Sequence, residues 1–349
     1  MRVLVALSGG VDSSVAAALL SADGHDVVGA TMKLWGGASD SGCCSAADAQ
    51  DARRVADRLG IAHHVFNFKA EFDEHVVGPY VSGYAAGLTP NPCIECNRHL
   101  KFQSFLERAL RLGFDAVATG HYARVEERGT RRCLRRARDS AKDQSYVLSC
   151  LTGRELDRLV LPIGGLTKAE VRSVASSLRL GTASKPDSQD VCFILGGSGA
   201  SARARFLSDR VSLHPAEVVD VATGTVVGSV PAVELVTVGQ RRGLGSGTSA
   251  RRFALRVDVE RRRVEVGSET DLLRRDVRLT KRTWVHGALA PGTRVSAQAS
   301  AHGGAFEAVV TDEGLAFSAP RRRVAPGQTV ALYVGDDVVG SGVALGDQY

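Results

Sequence analysis

The chain has 349 residues, of which 44% are hydrophobic, and a formal net charge of +6 at pH 7. This length predicts two or three domains, because one hydrophobic core seldom serves so many residues. No apolar run reaches the roughly 18 residues of a membrane-spanning helix, and the amino terminus lacks the apolar stretch of a signal peptide. We therefore expect a cytoplasmic protein that does not bind membranes, and the positive charge favours an anionic partner such as RNA.

Short apolar strands alternate with helical patterns through the first half of the chain. The apolar runs predict strands at 3–7, 26–32, 63–68 and 115–121. The helical periodicity predicts helices at 13–24, 45–60, 71–86 and 97–112. This alternation is typical of the α/β class, with a doubly wound parallel sheet covered by helices on both faces.

The pattern changes after Gly196, where a glycine- and serine-rich stretch leads into short Val-rich segments. These segments alternate apolar and polar residues between turn residues, at 217–230, 253–268, 294–300 and 328–344. Such a pattern predicts antiparallel sheets in two small β domains, the last of them barrel-like. We place the domains at 1–205, 206–275 and 276–349.

The sequence LSGGVDSS, residues 7–14, lies where the first strand gives way to the first helix. Its glycines let the backbone approach a ligand, while its hydroxyls and the N–H groups of the helix start attract phosphate. It is not a Walker A loop, because the Lys and the GxxxxGK[ST] spacing are missing. Asp12 suits this place if it holds Mg²⁺ beside a nucleotide. The alternative is a tight turn with a side-chain helix cap.

The sequence NPCIECNRHLKF, residues 91–102, carries Cys93 and Cys96 three positions apart. A metal clip, a redox pair, a nucleophile with a neighbour and ordinary core residues are all compatible with this spacing. We expect Cys96 in a loop that leads into a helix beginning near Asn97. A helix start and the charge of Arg98 would lower the pKa of its thiol and favour the reactive thiolate.

Seven cysteines, an odd number in a chain without an export signal, favour thiols, metal ligands or redox groups over a disulfide framework. Cys192 lies far from Cys96 along the chain, so only folding can bring the two into one pocket. Cys133 and Cys150 are expected to be small buried residues. Residues 43 and 44, both Cys, are assigned a local structural role.

The segment RGTRRCLRRARD, residues 128–139, predicts a hairpin that carries six arginines. Taken alone, such a charge run is typical of a solvated face. KDQSY, which follows it, resembles a tRNA-contacting string of a known family, so we expect the hairpin to contact RNA phosphates, which would make binding salt-dependent.

The loop SGGVDSS resembles the signature of the PP-loop ATP pyrophosphatases, which adenylate an oxygen and release pyrophosphate. Further strings then follow in the order of one branch of that superfamily, the bacterial tRNA-specific 2-thiouridylases. They are GCCSAADAQDARRVADRLGI, TPNPCIECNRHLKF, ATGHYARV, KDQSYVL, PDSQDVCFI and TVGQRRGLG. The resemblance covers most of the chain and is densest up to about residue 245.

This resemblance implies an α/β PP-loop catalytic domain followed by the two β domains, and it implies ATP and Mg²⁺ as cofactors. The residues that match the ATP site are Ala6, Leu7, Ser8, Gly9, Gly10, Val11, Asp12, Ser13, Met32 and Gly120, with Mg²⁺ held by Asp12 through ATP. The substrate implied is a tRNA, whose wobble uridine is adenylated on its C2 oxygen.

The resemblance also implies the sulfur chemistry. Cys192 matches the persulfide carrier, which a cysteine desulfurase or a relay carrier protein loads with sulfur. Cys96 matches the nucleophile and ends in a transient disulfide with Cys192. The residues that match tRNA contacts are Asn91, Pro92, Cys93, His121, Lys142, Asp143, Gln144 and Gln328, and the enzyme is expected to act as a monomer.

The sequence departs from this family at position 93, where many relatives carry Asp and this chain has Cys. Cys93 cannot supply a constant negative charge. Cys93, Cys96 and Cys192 would instead suffice for a [4Fe-4S] cluster with one open iron, whereas Zn²⁺ lacks an evident fourth ligand. The persulfide route and the cluster route both stay open. Two further alternatives are a PP-loop ligase of the argininosuccinate synthase type and a non-enzymatic RNA-binding iron–sulfur scaffold.

Overall fold

The structure is a computed structural model that describes residues 1–35, 45–186, 191–194, 199–245 and 251–346. Cys43 and Cys44, whose role we predicted to be structural, lie outside the described residues, as do residues 187–190 of the string PDSQDVCFI. Within these ranges every helix is too short or too polar to cross a membrane.

Strands and helices alternate through the first 208 residues. The strands are β1 (Arg2–Ala6), β2 (Asp26–Lys33), β3 (Ala62–Asn67), β4 (Ala116–Ala118), β5 (Ala123–Arg128), β6 (Arg131–Arg136) and β7 (Leu159–Val160). The α-helices are α1 (Val11–Ala22), α2 (Ala46–Leu59), α3 (Lys69–Phe72), α4 (Gly78–Ala85), α5 (Pro92–Glu95), α6 (Phe105–Arg111), α7 (Gly153–Leu156), α8 (Lys168–Ser177) and α9 (Ala200–Ser208). Two π-helical segments, Asp73–Val77 and Cys96–Ser104, continue α3 and α5, and a 3-10 turn covers Tyr146–Leu148.

A parallel sheet with the strand order β3-β2-β1-β4-β7 forms the centre of this half, which confirms the predicted class. The middle strand β1 is buried along Val3, Leu4 and Val5, as expected for a strand that helices cover on both faces. Strand β7 escaped prediction, because two residues are too few to produce a periodic signal. The carboxyl ends of these strands share one edge, where open α/β sheets bind ligands.

The next sheet is mixed, which corrects the antiparallel prediction for this region. Its strands are β8 (Ala216–Asp220), β9 (Val226–Val230), β10 (Phe253–Asp258) and β11 (Arg263–Gly267), in the order β10-β11-β8-β9. The strand that follows β9 in the sequence, β10, lies at the opposite edge of the sheet. Strand β11 therefore runs parallel to β8, while the two hairpins are antiparallel.

The last strands close into a six-stranded antiparallel barrel, which confirms the barrel-like prediction. They are β12 (Leu273–Trp284), β13 (Arg294–Gln298), β14 (Phe306–Val310), β15 (Gly314–Arg322), β16 (Thr329–Val334) and β17 (Asp337–Ala344). The long strand β12 pairs with β15 through its first half and with β17 through its second, so the sheet has no open edge there.

The barrel is packed onto the parallel-sheet unit. Tyr333 and Val338 of the barrel belong to the same hydrophobic core as Leu4 and Cys96. The hairpin β5–β6 extends the barrel sheet through a pairing of Arg135 with Asp337. A hairpin from the first half of the chain therefore extends a sheet of the last third, and the domain boundaries at 205 and 275 stay a prediction.

Candidate active site

The glycine loop turns the chain from β1 into α1. Gly9 has a φ of +72°, a conformation that glycine adopts without strain. The hydroxyl of Ser13 accepts a hydrogen bond from the Ser8 amide (3.2 Å), and it lies 3.2 Å from the Gly10 carbonyl. No described side chain caps α1, so the predicted alternative of a side-chain cap is wrong. The first N–H groups of α1 are therefore available to an anion.

Two close backbone approaches fix this loop. A Cβ on Gly9 would lie 2.3 Å from the Asp48 carbonyl oxygen in α2, and a Cβ on Gly120 would lie 2.5 Å from the Ser13 nitrogen. Gly120, which follows β4, therefore lies directly against the start of α1. The predicted nucleotide residues of the loop and of the β4 edge thus come together.

Asp12 faces a lysine rather than open solvent. The Lys168 ammonium lies 2.8 Å from Oδ1 and 2.9 Å from Oδ2 of Asp12, and the Tyr122 hydroxyl donates to Oδ1 (2.7 Å). The sequence analysis missed Lys168 and Tyr122. Both residues could have been found from their positions in the sequence, because Tyr122 follows β4 and Lys168 follows β7 at the ligand-binding edge. The carboxylate and hydroxyl oxygens of Asp12, Ser8 and Ser13 are the ligand type that Mg²⁺ prefers.

A second lysine, Lys185, ties the loop to α2. Its ammonium donates to the Gly9 carbonyl (3.0 Å), to Asp48 (2.7 Å) and to Asp51 (2.8 Å). Burial alone would lower the pKa of Lys185, but these two carboxylates raise it overall. The hydrogen bond from Lys185 in turn lowers the pKa of Asp51. Lys185 lies seven residues before Cys192 in the sequence.

The neighbouring strand ends carry the other predicted nucleotide and tRNA residues. Met32, near the end of β2, is buried. His121 is also buried, and burial together with the Lys101 charge holds its pKa well below the usual value. Its ring nitrogens face the Thr119 hydroxyl (2.7 Å) and the Lys101 ammonium (3.4 Å). A neutral ring that accepts from Lys101 and donates to Thr119 satisfies both contacts.

The cysteine segment forms a helix earlier than predicted. Helix α5 begins at Pro92, and the Asn91 side chain caps it by accepting from the amides of Cys93 (3.0 Å) and Ile94 (3.4 Å). The thiol at the helix start is therefore that of Cys93. Cys96 lies a turn further on, where the π-helical segment begins, and such segments are frequent at functional sites.

Arg98 has partners other than the cysteines, and its effect on Cys96 stays a prediction. Its guanidinium donates to the Thr283 hydroxyl of β12 (3.0 Å) and lies 3.7 Å from Glu95. It also lies close enough to Cys150 to influence that thiol, whose pKa burial raises to about 12. A thiol with so high a pKa stays protonated and unreactive, which agrees with the prediction for Cys150.

Cys192 belongs to a short segment anchored by its neighbour. Phe193 is buried in an aromatic cluster, with its ring centroid 5.1 to 6.0 Å from the rings of four other residues. We call this the aromatic cluster; its other members are Trp35, Phe72, Tyr80 and Phe206.

The two cysteine segments meet at this cluster. Cys96 is part of the main hydrophobic core, and Cys192 packs against the same core. Burial raises the pKa of Tyr80, and the nearby Cys93 contributes to this rise. Tyr80 therefore adjoins both Phe193 and the Cys93 segment, and folding brings the remote segments to one place. Among the described residues, no group of three or more Cys, His, Asp or Glu could hold a single metal ion, and the cluster set Cys93, Cys96 and Cys192 stays a prediction.

The expected tRNA contacts adjoin this region through Tyr146. The hydroxyl of Tyr146 donates to the Thr329 carbonyl (2.9 Å), next to Gln328. Burial raises the pKa of Tyr146, and a hydrogen bond with Asn91 partly offsets that rise. The loop before Asn91 is joined to the barrel by a hydrogen bond from the Thr89 amide to the Pro326 carbonyl (2.8 Å). The cysteine segment and the Gln328 loop are therefore adjacent.

The segment Lys142–Gln144 is shaped by its own side chains. Asp143 accepts from Arg136 (3.0 Å) and from the Ala137 amide (2.9 Å), and Gln144 accepts from the Tyr122 amide (2.9 Å). These contacts hold the segment beside Tyr122, and hence beside the glycine loop.

The arginine-rich hairpin is confirmed as β5–β6, but its expected role is not. Arg135 pairs with Glu126 and Asp337, Arg128 pairs with Asp337, and the other contacts are likewise internal. Those remaining contacts join Arg136 to Asp143, Arg138 to Glu170 and Arg132 to the Leu156 carbonyl. Arg128, Arg132, Arg135, Arg136 and Arg138 thus have partners within the protein, and RNA binding by the hairpin stays a prediction.

Fold and site together define an α/β PP-loop protein of the ATP-utilising kind, extended by a mixed β-sheet and a closed barrel. A family model described as a tRNA methyl transferase HUP domain matches residues 1–196, and one described as an aminomethyltransferase beta-barrel domain matches residues 274–344.

Curated relatives match over nearly the whole chain. The tRNA-specific 2-thiouridylase MnmA of Roseiflexus sp. (strain RS-1) is 44% identical, covering 98% of both chains. That of Rhodococcus erythropolis is 43% identical, covering 100% of this chain and 98% of the relative, and that of Mycolicibacterium smegmatis is 44% identical, covering 98% of each. The chain belongs to the tRNA-specific 2-thiouridylase family.

Among solved structures, the U34-tRNA thiolase NcsA from Methanococcus maripaludis, described with its [4Fe-4S] cluster, is 19% identical. The aligned region covers 59% of this chain and 64% of the NcsA chain, with a TM-score of 0.37. A likeness of this size carries no argument about mechanism.

Proposed function

We propose that the protein is an ATP-dependent tRNA sulfurtransferase that converts the wobble uridine of tRNA into 2-thiouridine. Full-length similarity to curated 2-thiouridylases is the observation that carries this proposal. The uncapped start of α1 and the two cysteine segments, which border one hydrophobic core, would supply the groups that the reaction requires.

The first half-reaction activates the base. The loop Ala6–Ser13, together with Met32 and Gly120, would hold ATP, and Asp12 would hold Mg²⁺, which would neutralise charge on the phosphates. The uracil O2 forms a bond to the α-phosphorus, the bond from that phosphorus to the β-phosphate oxygen breaks, and pyrophosphate leaves. The N3 proton is lost to solvent, so the C2 oxygen becomes part of an AMP leaving group.

The second half-reaction installs sulfur. The terminal sulfur of a Cys192 persulfide attacks C2, and AMP leaves with the electron pair of the C2–O bond. The Cys96 thiolate then attacks Sγ of Cys192. The sulfur–sulfur bond to the base breaks, its electrons form the C2 thiocarbonyl, and a Cys96–Cys192 disulfide remains. A dithiol reductant must supply two electrons before the next turnover.

The tRNA is bound where three surfaces meet. Asn91, Pro92 and Cys93 lie at the start of α5, Lys142 to Gln144 lie beside Tyr122, and Gln328 lies in the adjoining barrel loop. His121 is buried below this surface, and we assign it to the part of the site that adjoins the nucleotide. The flipped uridine would enter between these segments, since chemistry on a base requires its removal from the stack.

Partners and compartment follow from the same chemistry. A cysteine desulfurase or a relay carrier protein loads Cys192, and the chain acts as a monomer composed of domains 1–205, 206–275 and 276–349. Thiols that cycle through a transient disulfide suit the reducing cytoplasm.

The alternatives receive less support. No group of three Cys, His, Asp or Glu among the described residues could hold a single metal ion, and we derive no step through a cluster. A ligase acting on a small carboxylate and a non-enzymatic scaffold both leave the converging cysteine segments without a role. Methyl transfer, which the name of one family model suggests, is not the activity for which the full-length relatives are named.

A direct assay tests the proposal. The protein is incubated with unmodified tRNA carrying a wobble uridine, ATP and Mg²⁺, cysteine and a cysteine desulfurase, and a dithiol reductant. We expect 2-thiouridine together with tRNA-dependent pyrophosphate release. Cys192→Ser should keep pyrophosphate release and lose thiolation, while Asp12→Ala should lose both. Pyrophosphate release that requires a small carboxylate instead of tRNA would identify the ligase.

A further inference from the structure

The ion pair between Lys168 and Asp12 is the most enclosed charge contact at the glycine loop. The Lys168 side chain is only 14% exposed and that of Asp12 is 31% exposed. Both oxygens of the carboxylate lie within hydrogen-bond distance of the one ammonium, and the Tyr122 hydroxyl donates to Oδ1 as well. The Lys168 ammonium thus lies where the phosphates of ATP are proposed to bind.

The position of Lys168 is set independently of Asp12. Lys168 is the first residue of α8, whose start is fixed by reciprocal capping between Thr167 and Glu170. Its amide also donates to Asp139 (2.9 Å). Helix α8 packs against α1 in one hydrophobic cluster. Rigid packing of both helices therefore aims the lysine at the first turn of α1.

Charge balance explains what the pair does. A carboxylate in the first turn of α1 would repel a polyphosphate held by the N–H groups of that same turn. A neighbouring ammonium removes this repulsion. Because phosphate oxygens carry more negative charge than a carboxylate, arrival of Mg²⁺-ATP makes them the better partner for the ammonium, and it leaves Asp12 for the metal.

We propose that Lys168 binds the β- and γ-phosphates of ATP, and that Asp12 holds its ammonium in place until the nucleotide arrives. This inference rests on the proposed function and assigns a residue to its first half-reaction. When pyrophosphate leaves, negative charge grows on the β-phosphate oxygens, and the Lys168 ammonium stabilises that charge.

Binding of ATP and of AMP, measured by titration calorimetry without tRNA, separates this role from a structural one. Lys168→Gln should weaken Mg²⁺-ATP binding about ten- to a hundredfold, the worth of one charge-assisted hydrogen bond. AMP lacks the phosphates in question, so its affinity should stay unchanged. Lys168→Arg, which keeps the charge, should recover most of the ATP affinity. The matched control is Arg138→Gln, which removes an exposed positive charge that pairs with Glu170 at the same helix start.

Equal ATP affinity in Lys168→Gln and wild type would overturn the inference, and so would an equal loss for ATP and AMP. A measurement on the wild type covers the case in which Lys168→Gln does not fold. The Nζ resonance of Lys168 in ¹⁵N-lysine-labelled protein should shift with Mg²⁺-ATP and not with AMP, and the absence of such a shift would also refute it. Failure of the proposed function can be told apart from failure of the Lys168 role, because in the first case the wild type itself would not thiolate tRNA.

Discussion

The nucleotide half and the sulfur half of the candidate site are held by different forces. Around the glycine loop, Lys168 and Lys185 make ion pairs with Asp12, Asp48 and Asp51. Around Cys192, the aromatic cluster holds the segment by apolar contact through Phe193. Ion pairs are weakened by salt and respond to pH, whereas apolar packing carries no charge to screen or titrate. The two half-reactions should therefore be separable by substitutions that act on one force at a time.

Gly120→Ala should have the largest effect and should break the nucleotide half alone. Its methyl group would meet backbone atoms of Asp12 and Ser13 at 2.6 and 2.5 Å, and backbone cannot rotate away. Displacing the start of α1 should lower tRNA-dependent pyrophosphate release about a hundredfold. The control is Gly165→Ala, whose Cβ would meet no atom within 4 Å. Normal pyrophosphate release by Gly120→Ala would show that the loop does not bind the phosphates.

Phe193→Ala should break the sulfur half alone. Removing a buried aromatic ring costs about 3–5 kcal/mol of packing, and here that loss falls on the contact that anchors Cys192. We expect the ratio of thiolation to pyrophosphate release to fall about tenfold or more, since reacting groups displaced by about 1 Å lose about that much rate or more. The matched control is Phe317→Ala in the barrel, which pairs with Phe306. It should lower thermal stability without changing the ratio, and an equal change in both variants would contradict the anchoring role.

Lys185→Gln should affect the nucleotide half moderately, because Lys185 ties the glycine loop to α2 through Gly9, Asp48 and Asp51. Lys185 lowers the pKa of Asp51, so the pair stabilises the fold above the ordinary Asp value near 3.8. That stability is lost as the pH falls through the lower pKa of the folded state. We expect the free energy of unfolding at pH 7 to drop by about 0.5–1 kcal/mol, as for a partly exposed pair.

Chemical denaturation of Lys185→Gln and wild type between pH 7 and pH 3 checks this. The stability difference should shrink as the pH falls below 3.8. A difference that stays constant over this range would mean that Lys185 acts through packing and not through its charge.

Local features of the sequence predicted the fold well. Strand β1, the glycine loop and α1 are consecutive, so their pattern contains what determines them. The true start of α5 was also readable, because Asn91 followed by Pro92 is the usual order of an N-cap and a first helical residue. The error about Cys96 came from overlooking that signal.

Features that depend on distant partners could not be read in this way. In the sequence, the arginines of the β5–β6 hairpin form an unpaired run of charge. In the fold, Arg135 pairs with Asp336 and Asp337, which lie far away along the chain. The role of Lys168 can be recognised only from its ion pair with Asp12, which lies on another helix. Sequence patterns show which charges exist, but the pairing that satisfies them is decided by tertiary packing.

Cys93→Ser should have the smallest effect, and it decides between the two sulfur routes. In the persulfide route the sulfur–sulfur bonds involve Cys96 and Cys192 alone, and Ser keeps the shape of Cys93 at the second position of α5. Thiolation should therefore stay within about a factor of three of wild type, as for a substitution worth about 0.5 kcal/mol. Cys96→Ser, three residues away, should abolish thiolation while keeping pyrophosphate release. If Cys93→Ser loses thiolation as completely as Cys96→Ser, and anaerobically purified wild type contains iron that both variants lack, then three cysteines act together as cluster ligands. The aromatic cluster would then hold a metal ligand in place rather than a persulfide carrier.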